Sequence, residues 1–175
     1  MGVMAMSIAD LVAVAGDRLD ASDLPTNLDL SHAAIVPSDT GALIIADFGI
    51  PTLESTGAAL KMLVQLVGES GRSIAVLGAL NSEPIDARDE HDSVGRLVVR
   101  LNVSQLVTVG NDARHIHNAA GLEGSWDGES RLVDTPEEAY DFLRGQLREG
   151  DVVLVNASPS ADIVALANRL GGGIA

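Results

Sequence analysis

From Leu53 to the C-terminus, two kinds of apolar run alternate along the chain. The stretches "SIAVLGAL", "QLVTVG" and "DVVLVNA" are short and mostly aliphatic and read as buried strands, and "RLVDT" reads as a further short strand. Between them lie "LESTGAALKMLVQLVGE", "DEHDSVGRLVVRL", "NDARHIHNAAGL", "PEEAYDFLRGQL" and, last, "SADIVALANRL", whose apolar positions recur at helical spacing. Buried strands separated by helices predict repeated β-α units, hence parallel strands joined by right-handed crossovers. Upstream, "AAIV" and "ALIIADF" flank the turn formers of "PSDTG", which predicts a β-hairpin. The expected fold is therefore α/β: a three-layer, mostly parallel, open Rossmann-like sheet with an antiparallel hairpin strand at its start. Ahead of it, Ile8, Leu11, Val12, Ala15 and Leu19 predict a helix over Ser7 to Leu19 with Ser7 as its N-cap. The polar, proline-interrupted "DASDLPTNLDLS" reads as a linker. The expected division is an N-terminal helix and linker over residues 1–30 and an α/β domain over 31–175.

Composition sharpens this picture. Hydrophobic residues make up 46% of the 175 positions but aromatics only 2%, so the core must be aliphatic, as suits a parallel sheet covered by helices. The formal net charge is −14, and Lys61 with ten scattered arginines forms no basic patch, which argues against a nucleic-acid partner. With no cysteine, neither a disulfide framework nor a thiolate metal site is available. The opening "MGVMAMSIADLVAVAG" lacks a positive leader and is broken by Asp10, shorter than the roughly 20 apolar residues a membrane span requires. A soluble cytoplasmic protein without membrane insertion is the expectation.

In open α/β sheets ligands gather beyond the carboxyl ends of the strands. Four loops qualify, "ADFGIPT", "GALNSEP", "GNDAR" and "NASPS". From them come the ligand-binding candidates Asp47, Thr52, Asn81, Asn156 and Ser158. Many polar residues in these loops, Thr52, Asn111 or Asp112 and Ser158 or Ser160 among them, are equally suited to capping the next helix. No catalytic residue is assigned. The chain contains no Gly-Lys-Ser/Thr phosphate loop and no G-x-G-x-x-G after its first strand. His115 and His117 point roughly 200° apart on a helix and cannot share a metal, so no metal site is expected. His91, between Glu90 and Asp92, reads as part of a solvated first helical turn. "GLEGSWDGES" reads as a mobile loop with Trp126 as its anchor, and the terminal Gly-Gly-Gly as a helix stop.

"EHDSVGRLVVRLNVSQLVTVG", with "GRSIAVLGAL" before it and "LREGDVVLVNAS" after it, resembles the C-terminal domain of the Mur ligases. The likeness is closest to the type that adds D-alanyl-D-alanine to UDP-N-acetylmuramoyl-tripeptide, and it extends over roughly Ser31 to Leu170. It implies a mostly parallel sheet with helices on both faces. It also implies a role in peptidoglycan precursor synthesis, with a dipeptide or muropeptide as ligand. For the full-length family it implies ATP and magnesium, held by a separate central domain that this sequence does not contain. The resemblance departs at the signature positions. Of the family's Asp-x-Tyr-Asn-Ala-Asn-Pro only Asp47 is kept, with Gly49, Ile50 and Thr52 at the Tyr and Asn positions. Ala79 stands at the acidic position of Gly-Glu/Asp-Met. Asn156 replaces the lysine of Lys-Gly/Ala-Ser, with Ser158 kept. A neutral amide cannot supply the charge stabilisation a lysine gives a transferring phosphoryl group.

Three readings follow. The chain is a Mur-ligase C-terminal-type domain, not catalytic by itself, that binds or regulates or completes a divergent ligase; or it is a fragment of such a ligase; or it is a structural domain with a protein partner and no small ligand. None of them has the chain itself binding a cofactor.

Overall fold

The structure is a computed structural model that describes residues 6–173. The start of the opening apolar stretch, residues 1–5, lies outside them. The aliphatic runs become strands β1 (Ala33–Val36), β2 (Leu43–Asp47), β3 (Ser73–Leu77), β4 (Gln105–Val109), β5 (Glu129–Val133) and β6 (Val152–Asn156). The helices are α1 (Ile8–Ala15), α2 (Leu53–Leu66), α3 (Ala87–Arg100), α4 (Arg114–Gly121), α5 (Pro136–Leu143) and α6 (Ala161–Leu170). The sheet order is β1-β2-β6-β3-β4-β5. Only the β1–β2 hairpin is antiparallel, as the "PSDTG" turn predicts.

Side chains alternate across each strand, so the two faces of the sheet carry separate cores. Ile45, Ala75, Leu77, Leu106 and Leu154 face α2, α3 and α4. Ile44, Ile74, Val76, Val107 and Val153 face α5 and α6. β3 and β6 are buried along their whole length, which explains their near-continuous aliphatic sequence. Leu11, Ala15, Leu19, Leu24 and Leu30 add to the core on the α2–α3 side, so the N-terminal segment packs against that layer.

Several boundaries differ from those read in the sequence, each for a local reason. α1 stops at Ala15 rather than Leu19, because Gly16 takes φ +60° and the chain tightens into a 3₁₀ turn over Gly16–Arg18. β5 ends at Val133 because Asp134 and Thr135 serve the next helix. Thr135 Oγ1 accepts the Glu138 N–H, and the Asp134 N–H donates to Glu138 Oε2. The segment expected to be helical from Asn111 opens with a 3₁₀ turn, Asn111–Ala113, before α4 begins. Ser7 caps α1 with Asp10 as reciprocal partner, and Gly171 and Gly172 end α6. Trp126 anchors its loop as expected, donating from Nε1 to the Val103 carbonyl at 3.0 Å. Among the described residues no helix is long and apolar enough to cross a membrane.

Two close approaches set the architecture. Gly95 lets α3 press on α4, where any Cβ would overlap the Ile116 carbonyl oxygen. At the entry to the two central strands, a Cβ on Gly71 would overlap the Gly150 carbonyl oxygen. Beside that crossing, the Arg72 guanidinium donates to both oxygens of Asp151, at 3.1 and 2.6 Å, and Asp151 is fully buried. The Arg72 and Arg148 backbone N–H groups also donate to this carboxylate. The pairing raises the Arg72 pKa. Truncating one partner of a buried, hydrogen-bonded ion pair leaves the other uncompensated. Arg72→Ala is therefore expected to lower stability by about 2–5 kcal/mol, read as a lower urea midpoint with an unchanged slope. A loss below about 0.5 kcal/mol, the usual range for a surface substitution, would show that Asp151 is satisfied without the guanidinium.

Candidate functional site

The carboxyl ends of β2, β6 and β3 lie side by side, with Asp47 opposite Asn156 and Asn156 opposite Leu77. Here the connections diverge: α2 and α3 leave toward one face of the sheet, and α6 leaves toward the other. This is the switch point at which open α/β sheets hold their ligands.

Asp47 and Asn156 project on the α2 side and are joined directly. Asn156 Nδ2 donates to Asp47 Oδ2 at 2.9 Å, and Asp47 Oδ1 accepts the Gly49 N–H at 2.9 Å. Asn156 Oδ1 accepts in turn from Thr56 Oγ1, 2.9 Å away on α2. Asn156 and Thr56 are both buried. The Asn156 amide thus gives a hydrogen to a carboxylate and takes one from a hydroxyl, a chain of neutral donors where the Mur-ligase pattern has a cation. Thr52, one turn before Thr56, is the N-cap of α2 in a reciprocal capping box with Ser55. Its side chain satisfies the helix end first, as its residue type allows.

Between the start of α2 and the β3–α3 loop is an open depression of about 510 Å³. Thr52, Asn81 and Ser82 line it together with four carboxylates, Glu54, Glu83, Asp86 and Glu90, and among the described residues no cationic side chain lines it. Glu90 accepts a short hydrogen bond from the Ser82 hydroxyl. Asn27, from the N-terminal segment, donates to Glu54 Oε1 at 3.3 Å. Three of the loop's own N–H groups are turned to protein acceptors. Gly78 donates to the Asn156 carbonyl at 3.1 Å, Leu80 to His91 Nε2 at 3.0 Å and Asn81 to the Pro51 carbonyl at 2.7 Å. These three N–H groups are therefore not available to an anion in the depression.

Of the five candidates read from the sequence, the structure thus brings Thr52 and Asn81 to one depression and Asp47 and Asn156 to one hydrogen bond. Ser158 is exposed on the β6–α6 loop, outside the depression. Ser160, not Ser158, caps α6.

The expectation for His91 is overturned. α3 begins at Ala87, so His91 sits in the second turn and shares the inward stripe of Val94, Gly95 and Val98. It is 3% exposed. Sequence reading also passed over Thr56, whose only signal is a hydroxyl within the apolar stripe of α2.

His117 and His115 take different partners, as their spacing predicts. His117 Nδ1 lies 2.6 Å from Ser130 Oγ, and His115 faces Asp92 at 3.8 Å. Among the described residues no group of three or more His, Asp or Glu side chains could hold a metal ion.

Fold and switch point together define an open α/β domain whose candidate ligand face lies between β2, β6 and β3. The family description "Mur ligase, glutamate ligase domain" matches residues 33–158, and the chain belongs to the Mur ligase family through that domain. It is similar to the UDP-N-acetylmuramoyl-tripeptide–D-alanyl-D-alanine ligase of Mycobacterium leprae, with 47% identity over 103 residues, 58% of this chain and 20% of that protein. The enzyme of the same name from Mycobacterium tuberculosis H37Rv is 37% identical over 146 residues, 74% of this chain and 29% of that protein. The chain therefore spans less than a third of the curated relatives it matches. The MurF ligase of Thermotoga maritima, solved in complex with ADP, shares the fold with a TM-score of 0.62 at 18% identity, over 93% of this chain and 36% of that one.

Thr56→Val removes the donor to a buried amide oxygen and is expected to cost about 1–3 kcal/mol, with the Asn156 side-chain amide signals shifting in NMR spectra. A neutral effect on both would show that the chain from Asp47 to Thr56 is not closed in solution. For His117, burial disfavours the charged ring and lowers its pKa from the ordinary 6.5. As pH falls, the unfolded chain takes up that proton first. The stability contributed by neutral His117 is therefore full above about pH 6.5 and is lost as pH falls toward the folded-state value. Urea midpoints at pH 7.5 and 5.5 should consequently fall further for the wild type than for His117→Gln. Equal falls would refute the assignment.

Proposed function

We propose that this chain is a Mur-ligase C-terminal-type module that binds the amine-bearing partner of a peptide ligation, a dipeptide such as D-alanyl-D-alanine, and performs no ligation by itself. The observation that carries this reading is the state of the polar groups at the strand ends. Asp47, Asn156, Thr56, Thr52 and Ser55 satisfy one another, which leaves no acid, base and nucleophile set converging on a substrate. The depression beside them supports a ligand with an ammonium group. Four carboxylates with no balancing cation among the lining residues favour positive charge, and each like-charge pair about 6 Å apart costs about 0.7 kcal/mol even in water.

The same lining does not fit ATP with its magnesium. The triphosphate would face Glu54, Glu83, Asp86 and Glu90 with the Gly78, Leu80 and Asn81 N–H groups turned away from it. In this reading nucleotide chemistry is supplied by a different polypeptide segment.

A second reading, a protein-interaction face, is favoured by Ile50 and Ile85, which are 66% and 88% exposed in the loops that follow β2 and β3.

Amide NMR titration of the purified chain separates the two. Trp126 is a poor fluorescent reporter for this face, because its anchor, Val103, lies before the first residue of β4, at the other end of the sheet. Under the first reading D-alanyl-D-alanine produces saturable shifts confined to the loops at Thr52, Asn81 and Ser82, while ATP produces none there and no phosphate is released. ATP-dependent phosphate release would overturn the non-catalytic reading. Silence toward both the dipeptide and the UDP-muramoyl-tripeptide at millimolar concentration would favour the protein-interaction face.

A further inference from the structure

We propose that His91 is the residue that positions the binding depression, acting through the β3–α3 loop as a buried, neutral hydrogen-bond acceptor; the binding part of this inference rests on the reading above. The loop over residues 78–86 has no regular secondary structure, yet it supplies Asn81, Ser82, Glu83 and Asp86 to the depression. Its conformation must therefore be fixed by contacts to neighbouring elements. Consecutive residues of α3 grip it: Glu90 accepts from the Ser82 hydroxyl, and His91 accepts the Leu80 N–H at 3.0 Å. Between those points the Asn81 N–H donates to the Pro51 carbonyl, one residue before the Thr52 cap of α2. Both walls of the depression, the loop and the start of α2, are thus referred to the position of Leu80.

The chemistry at His91 is fully specified. The Leu80 N–H is a donor, so Nε2 must be the unprotonated nitrogen and Nδ1 must carry the hydrogen. Nδ1 lies 2.5 Å from the Ala87 carbonyl oxygen and donates to it. That bond in turn fixes the ring orientation. An apolar side chain in its place would leave the Leu80 N–H buried without a partner, whereas glutamine can bring an acceptor oxygen to nearly the position of Nε2. At the position of the Mur ligases' acidic motif residue this chain has Ala79, so no side-chain acceptor at that point competes for the loop.

The test compares wild type, His91→Leu and His91→Gln. Long-range ¹H–¹⁵N spectra of the wild type should show one tautomer with the hydrogen on Nδ1; a hydrogen on Nε2 overturns the proposal. In His91→Leu, amide hydrogen exchange at Leu80 and Asn81 should accelerate on the order of tenfold or more, with the β6 amides of Val153, Leu154 and Val155 unchanged. His91→Gln should restore at least part of the protection. Exchange at Leu80 that is unchanged in His91→Leu, or accelerated equally throughout β6, overturns the positioning role. If His91→Leu does not fold, the tautomer and the Leu80 exchange of His91→Gln decide the matter, and unprotected Leu80 in the glutamine variant counts against it.

D-Alanyl-D-alanine titrations separate this inference from the reading beneath it. A wild type that binds the dipeptide and a His91→Leu variant that binds it about tenfold more weakly support both. Equal affinity in the two overturns the role of His91 alone. A wild type that does not bind, with the exchange pattern as expected, overturns the binding reading and leaves His91 as the residue that holds the loop.

Discussion

The structure depends on the insertion of the last strand, β6, between β2 and β3. Until β6 is in place the hairpin has no neighbour on its inner side, and the two halves of the sheet are not joined. Insertion buries every residue of the strand, so each of its backbone groups must find a partner in a neighbouring strand. Its ends are fixed by polar contacts of opposite character. At the entry, Asp151 is held by the Arg72 guanidinium and by backbone N–H groups beside the Gly71–Gly150 crossing. At the exit, Asn156 bridges Asp47 on β2 and Thr56 on α2. The ion pair lies away from the candidate ligand face, and the clamp on that face has no cation.

That asymmetry bears on the substituted motif. A lysine at position 156 would bring a charge to a buried strand end, where it requires a carboxylate or a ligand phosphate to offset desolvation. Asparagine fills the position without a charge of its own, bonding to the Asp47 carboxylate and the Thr56 hydroxyl, and Asp47 keeps its place because it also closes the turn to Gly49. The retained aspartate is therefore explained by local structure, with no ligand needed to account for it.

Much of the fold was legible because it rests on short-range periodicity. Strands of largely aliphatic sequence such as β3, β4 and β6, and helices of about a dozen residues between them, admit few arrangements other than a parallel sheet, and "PSDTG" marks the hairpin. The strand order was not legible, since nothing local to "DVVLVNA" says that it enters between β2 and β3. The site was legible in part for the same reason. Thr52 could be read as a cap, and the loops could be assigned to the ligand face. Thr56 could not be singled out, and His91 reads as solvated, because a polar residue within an apolar helical stripe declares its role only when its partner is known. The partners here are Asn156, 100 positions away, and Leu80, across a loop.

The distribution of charge and of backbone donors sets what the candidate face would select. Helix starts at the ends of parallel strands ordinarily attract anions, because their N–H groups point outward and the helix dipole adds positive potential. On this face both contributions are reduced locally. Thr52 takes the Ser55 N–H, the loop N–H groups of Gly78, Leu80 and Asn81 turn to protein acceptors, and four carboxylates line the depression. A face that topology ordinarily suits to anions here carries a net negative lining. In the proposed reading this sorts the two kinds of substrate of a ligation, admitting the amine here and leaving the phosphate-bearing partner to a surface of opposite sign.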